Sequence, residues 1–169
     1  KTIVLPEGED ERILKAARII SEAEAAKLII LGDEADIKAY FAQNNWPLNG
    51  IEIINAKTSP KLPEYAHLLF DLRKNKGMTE EQALQVAADA NYFGTLMVKA
   101  GDADGMLSGA NHSTADTVRP ALQIIKSAHK DRGVSAAIIT VKDGEAFLLS
   151  DCAVVIDPTE KELCDIALT

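Results

Sequence analysis

Gly105-Met106-Leu107-Ser108-Gly109-Ala110-Asn111-His112-Ser113-Thr114-Ala115-Asp116-Thr117-Val118-Arg119-Pro120-Ala121-Leu122 is the stretch that organises this chain. A short apolar run ends in Ser108-Gly109-Ala110, small and hydroxyl residues follow, and a helical pattern carrying Arg119 comes next. A strand, a tight turn and a helix start form the arrangement that gathers backbone N–H groups around an anion. Ser108, Ser113 and Thr114 add hydroxyls there, and Arg119 adds a planar fork suited to phosphate. Ser113 is placed as an N-cap with Asp116 at N3, a variant of the capping box. Val118, Leu122 and Ile125 then fall at i, i+4, i+7 and are expected to face a core. Pro120 removes one N–H and is expected to kink the early turns. Arg119 and Gln123 share another side. An ordinary helix start uses the same residue types, so spacing alone leaves a cap-only reading open. His112 reads as a loop or capping residue, weak support for a metal ligand or a base. Asp116 reads as a cap more than as a base.

The flanking chain alternates strands and helices. Residues 2–5, 28–31 and 51–54 are apolar runs of buried-strand type, closed by Pro6-Glu7-Gly8, Gly32 and a later loop through residue 63. Helices are expected after Asp10, with a stripe of Ile13, Leu14, Ala17 and Ile20. Others are expected over residues 33–45, with Ile37, Tyr40 and Phe41 inward, and over 64–76, with Tyr65, Leu68, Leu69 and Leu72 inward. Further helices are expected from the Thr79-x-x-Gln82 capping box to about residue 90, over 92–100, and from Ser113 to about residue 128. Arg12 and Arg18 read as solvated, with Arg12 near enough to the first strand end to face a cleft. This βαβ alternation predicts an α/β fold: a three-layer parallel sheet with helices on both faces. Beyond it, residues 134–141 and 147–149 read as strands around an Asp143-Gly144 hairpin turn, residues 153–156 continue in strand style, and Thr159-x-x-Glu162 caps a last helix. The expected organisation is therefore an N-terminal α/β domain over residues 1–130 and the beginning of a second α/β domain over 131–169, with the change near Lys130 to Gly133.

With 169 residues, 47% of them hydrophobic, the chain carries enough apolar mass for a core. A net charge of −8 argues against nucleic acid and against long-range steering of an anion, so phosphate groups must be met by a few local cations and backbone donors. No apolar run is long enough for a bilayer span. The opening Lys1-Thr2-Ile3-Val4 has no leader pattern and no initiator Met, so the true N-terminus is expected to be trimmed or to lie upstream. Cys152 and Cys164 fit neither a Cys-x-x-Cys pair nor a zinc pattern and are expected to be buried thiols in a reducing cytosol. Dinucleotide-binding Gly-x-Gly-x-x-Gly, P-loop, His-Glu-x-x-His and Gly-x-Ser-x-Gly motifs are absent from the sequence. Arg73, Lys74 and Lys76 cluster at a helix C-terminus, read either as dipole-complementing solvated cations or as a basic rim for a polyphosphate.

The focal run Ser108 to Lys126 closely resembles the signature of phosphate acetyltransferases in the phosphate acetyl/butyryl transferase family. Val4-Leu5-Pro6-Glu7-Gly8 with Arg12, the block Leu72 to Thr79, and Asp151-Cys152-Ala153 with Asp157-Pro158-Thr159, Glu162-Leu163 and Ile166-Ala167 resemble other family blocks. The resemblance runs end to end and covers about half of a typical member. It implies reversible transfer of an acetyl group between coenzyme A and inorganic phosphate, in a cytoplasmic homodimer, with no metal, no covalent cofactor, no nucleic acid and no membrane partner. Its partners are then coenzyme A, phosphate and acetyl phosphate. By resemblance Arg73 matches an arginine that helps hold the nucleotide end of coenzyme A. Ser108, Ser113, Thr114 and Arg119 would hold phosphate or acetyl phosphate. The family's catalytic aspartate, with a Ser-Arg pair, lies in a C-terminal block without counterpart here, so no base is assigned and the chain alone is expected to turn over poorly. Two departures from the family pattern stand out: Ser127 to Gly133 replaces a shorter turn, and Val155 replaces a polar residue. A butyryltransferase of the same family and a non-catalytic acyl-CoA-sensing domain, as fused to some malic enzymes, remain as alternatives.

Overall fold

Period-two alternation in the strands decides which side chains meet which helices. In the computed structural model, which describes residues 1–126, 134–152 and 154–168, strands β1 (Thr2–Leu5), β2 (Lys27–Leu31), β3 (Ile51–Ile54) and β4 (Gly105–Met106) form one parallel sheet in the order β3-β2-β1-β4. Val4 pairs with Ile29 and with Met106, which fixes the register at the centre of the sheet. Leu5, Leu28 and Ile30 face α1 (Glu11–Glu22) and α2 (Glu34–Gln43), joining Leu14, Ala17, Ile37 and Phe41 in one core. Val4, Ile29 and Leu31 face the other way, toward α3 (Leu62–Arg73), α4 (Glu80–Ala87) and α5 (Ala90–Ala100), joining Tyr65, Leu69, Phe93 and Leu96. The expected three layers are therefore present in residues 1–125, which form one of two compact units.

Caps set the element ends. Asp10 and Asp33 accept backbone N–H groups at the starts of α1 and α2, and Thr79 and Gln82 complete the expected capping box of α4. Three boundaries differ from expectation. Pro63 lies in the first turn of α3, where its missing N–H is harmless, instead of in the preceding loop. A 3-10 turn, Lys74–Lys76, separates the end of α3 from Gly77, whose φ of 84° suits the left-handed C′ position. Asp89 stops α4 short of residue 90 by capping α5 itself, accepting from Asn91 and Tyr92 N–H.

The focal helix, α6 (Thr114–Pro120), is followed by a π-turn, Ala121–Ile125. The expected inward stripe of Val118, Leu122 and Ile125 does not hold: Leu122 is 44% exposed and Ile125 40%, while Pro120 and Ile124 are buried. Pro120 has no N–H to give, and the wider π-turn after it rotates the helix so that Ile124 enters the core beside α5. The expected end of this helix near residue 128 and the expected domain change at residues 130–133 lie outside the described residues.

The second unit, Lys126–Thr169, is described by itself. Strands β5 (Ala137–Lys142) and β6 (Glu145–Ser150) pair antiparallel about Asp143 and Gly144, at φ 52° and 82°, both left-handed as an Asp-Gly hairpin turn of type I′ requires. Residues 134–136 precede the strand instead of starting it. Residues 154–156 are irregular: the Asp151 carboxylate accepts the Val154 and Val155 N–H groups at 3.0 and 3.1 Å, diverting them from any ladder. Thr159 and Glu162 form the expected box at the head of α7 (Glu160–Ala167). Both cysteines are exposed, contrary to expectation: among the described residues of this unit neither the hairpin nor the helix carries a buried residue. Among the described residues, no helix is long and apolar enough to cross a membrane.

Candidate functional site

From β1 the chain steps outward to β2 and β3 on one side and to β4 on the other. In an open parallel sheet, such a reversal leaves a crevice past the carboxyl ends of the two diverging strands. The loops after β1 and β4 both arise there, and the second carries the focal stretch.

The amides of that loop do surround an anion, but the anion belongs to the chain. The Glu7 carboxylate is fully buried and accepts the N–H groups of Gly109 and Ala110, both at 3.0 Å, Asn111 at 2.7 Å and His112 at 2.9 Å. The His112 Nδ1 lies 2.8 Å from the same carboxylate. Burial pushes the Glu7 carboxyl up, but the amides of Asn111 and Ala110 and the ring and amide of His112 outweigh it and hold the group down to about 2. An ionised carboxylate only accepts, so the imidazole Nδ1 must carry the proton. Arg12 Nη2 donates to the Ala110 carbonyl at 2.5 Å and is itself gripped by Asp10 at 2.6 Å, so Arg12 faces the focal loop as well as solvent. The backbone cradle expected to take a ligand is thus filled from within. Sequence reading missed this role for Glu7; the weak signal was a carboxylate set between Pro6 and Gly8 directly after a buried strand.

The side chains of the stretch remain, and several already have work. Ser108 donates to the Asn91 side-chain oxygen at 2.8 Å and lies 3.4 Å from the Thr117 hydroxyl. Asn91 is almost fully buried in the first turn of α5. Ser113 caps α6 as expected, accepting from Asp116 N–H at 3.2 Å and donating to the Asp116 carboxylate at 2.7 Å. That hydroxyl bond is the leading cause of the lowered Asp116 pKa, with Arg119 and His112 adding to it. Thr114 is exposed at the first residue of α6, and Arg119 is exposed in its last turn.

Arg73, at the end of α3, and Arg119 act on one group. Burial raises the pKa of the Tyr92 phenol; Arg119 pulls it back, Asp89 adds to the rise, and Arg73 pulls it back again. The phenol donates to Gln123 in the π-turn at 3.0 Å. Arg73 Nε is buried without a hydrogen-bond partner among the described residues. Buried polar groups are nearly always paired, so this unmet N–H marks Arg73 out among the described residues. Ser108, Ser113, Thr114 and Arg119 therefore belong to one loop and helix, and Arg73 shares the Tyr92 neighbourhood with Arg119. A cleft of about 510 Å³ runs over the ends of β1 to β3, between Pro6, Gly32, Asn55, Asp89 and His112. No cluster of three or more His, Cys, Asp or Glu side chains suited to a metal ion occurs among the described residues.

The phosphate acetyl/butaryl transferase family model matches residues 1–169. A phosphate acetyltransferase of Helicobacter pylori is 46% identical over the whole chain, which spans 33% of that protein, and one of Corynebacterium glutamicum is 42% identical over 98% of the chain and 50% of that protein. Among solved structures, a phosphotransacetylase from Streptococcus pyogenes has a TM-score of 0.90 at 38% identity, covering 99% of this chain and 51% of that one. One from Staphylococcus aureus has a TM-score of 0.86 at 42% identity, covering 98% and 50%. The chain spans a third to a half of the length of these relatives. A match that runs from Lys1 to Thr169, through both the parallel sheet and the hairpin beyond it, leaves no doubt about kinship: the chain belongs to the phosphate acetyl/butaryl transferase family.

Proposed function

We propose that this chain supplies the substrate-holding part of a phosphate acetyltransferase, which moves an acetyl group reversibly between coenzyme A and inorganic phosphate. The observation that carries the reading is the pair of guanidiniums at Arg73 and Arg119. Both act on the Tyr92 phenol, and Arg73 has a buried N–H with no partner among the described residues. The reaction brings two anions together and aligns a nucleophile on an acyl carbon, so it needs fixed positive charge in a site that excludes water. Arg73 anchors the nucleotide phosphates of coenzyme A. Arg119, with the Thr114 hydroxyl, holds phosphate or acetyl phosphate, while Ser113, whose hydroxyl proton goes to the Asp116 carboxylate, fixes the helix start beside them. Ser108 braces that loop by donating to the Asn91 side-chain oxygen. No base is assigned among these residues. Asp116 is committed to Ser113, and the family resemblance puts the catalytic aspartate in a later block. The substrates are coenzyme A, phosphate and acetyl phosphate, with no bound cofactor or metal required. The protein is read as a cytoplasmic homodimer without nucleic-acid or membrane partners, and the domain change is placed near residues 130–133.

The test is thioester formation from acetyl phosphate and coenzyme A by the full-length protein, with propionyl and butyryl phosphate alongside. Activity greatest with acetyl phosphate supports the reading. Preference for butyryl phosphate replaces it with the butyryltransferase, and binding of acetyl-CoA without turnover replaces it with the sensing domain.

A further inference from the structure

We propose that Glu7 is a positioning residue of this site: its carboxylate is the internal anion that locks the β4 loop into the shape from which Thr114 and Arg119 reach substrate. The proposal rests on the acyl-transfer reading above. Four consecutive backbone N–H groups, at residues 109–112, converge on one carboxylate that no solvent touches. Such a turn is an anion receptor by geometry, whatever fills it. Glu7 comes from the loop after β1 and its donors come from the loop after β4, so this one side chain ties together the two loops that flank the crevice. Arg12, from the same side, fastens the Ala110 carbonyl. Two consequences follow. The loop amides are closed to substrate phosphate, which must be held by side chains further along. Loss of the Glu7 charge frees four amides at once, so the loop changes shape or captures a stray anion.

Glu7→Gln keeps the volume but points an NH₂ group at two N–H donors. Glu7→Ala opens a cavity lined by the same amides. In the full-length protein, E7Q is expected to raise the KM for phosphate about tenfold and to lower kcat, while the KM for coenzyme A stays within about twofold, because Arg73 and Tyr92 sit on α3 and α5. Formate, a free carboxylate of the right charge, is expected to restore the phosphate KM of E7A. Amide hydrogen exchange on the wild-type protein supplies a readout that needs no variant to fold: residues 109–112 are expected to exchange slowly although Gly109 and Asn111 are exposed. A wild-type phosphate KM in E7Q overturns the proposal, as does a parallel rise of both KM values without formate rescue, or fast exchange at 109–112 in the wild type. If the wild-type protein transfers no acetyl group, the functional reading has failed instead, and the exchange pattern alone then decides whether Glu7 fixes the loop.

Discussion

Glu7 Oε1 and His112 Nδ1 meet at 2.8 Å across 105 positions of sequence, inside a shell that leaves the carboxylate no contact with solvent. The loop after β1 and the loop after β4 are thereby held together as one rim of the crevice. The remaining partners of the carboxylate are backbone amides, and its charge is felt by Arg12, which is bound to Asp10.

That relationship sets a pH dependence. The Glu7 carboxyl ordinarily titrates at 4.5 and is held at about 2 in the fold. A depressed pKa means that the unfolded chain binds the proton first, so the stabilisation is complete above about pH 4.5 and is lost as pH falls toward 2. It amounts to about 3 kcal/mol by linkage. Urea midpoints measured between pH 2 and 6 are expected to fall more steeply on acidification for wild type than for E7Q. Parallel curves would remove Glu7 from the list of acid-sensitive groups.

Tyr92 reports on the two guanidiniums without any assay of turnover. Arg119 and Arg73 both lower its pKa against burial and Asp89. Arg119→Gln and Arg73→Gln are each expected to move the phenol titration upward, and the double variant further still. Ultraviolet difference titration against Tyr92→Phe isolates the signal. No shift in either variant would show that the two cations do not share this neighbourhood.

Gly8 and Gly94 separate two kinds of close approach. A Cβ at Gly8 would sit 2.5 Å from the Leu31 carbonyl oxygen, which belongs to the sheet and cannot yield, and Gly8 N–H donates to that same oxygen at 3.0 Å. A Cβ at Gly94 would sit 2.7 Å from Met106 Sδ, which can rotate away. Gly8→Ala is expected to destabilise by about 1–3 kcal/mol through overpacking. Gly94→Ala is expected to cost less, since helix propensity favours alanine by about 1 kcal/mol. Thermal midpoints of the two variants decide the order.

Much of this was legible in the sequence, for identifiable reasons. Asp10, Thr79, Ser113 and Thr159 act as caps, as read, because side-chain oxygens at those spacings have few better uses; Asp33, read as the first residue of its helix, proves to be its cap. The parallel sheet followed from apolar runs separated by helices, and the hairpin from Asp143-Gly144. The inward stripe of α6 was misread because periodicity assumes an unbroken α-helix, and Pro120 changes the pitch after it. Burial of Cys152 and Cys164 was misread because local apolarity does not guarantee a neighbouring layer. The occupant of the β4 loop was out of reach for another reason: the donors are backbone atoms, the same at every position, and the acceptor lies 102 to 105 residues away.

Arg73 and Arg119 are expected to separate the two substrates kinetically. Loss of a charge-assisted hydrogen bond to phosphate costs about 1.5–3 kcal/mol, or roughly 10–100-fold in binding. In the full-length protein, Arg73→Ala is expected to raise the KM for coenzyme A by that factor with little change for phosphate, and Arg119→Ala to do the reverse. Equal effects on both substrates would assign the two arginines to a single role.

The most direct measurement is a crystal structure of the full-length protein with acetyl phosphate. The account predicts the phosphate against the Arg119 guanidinium and the Thr114 hydroxyl, with the Glu7 carboxylate still seated on the amides of residues 109–112. A phosphate resting on those amides with Glu7 displaced, or bound away from Arg119 altogether, would contradict it.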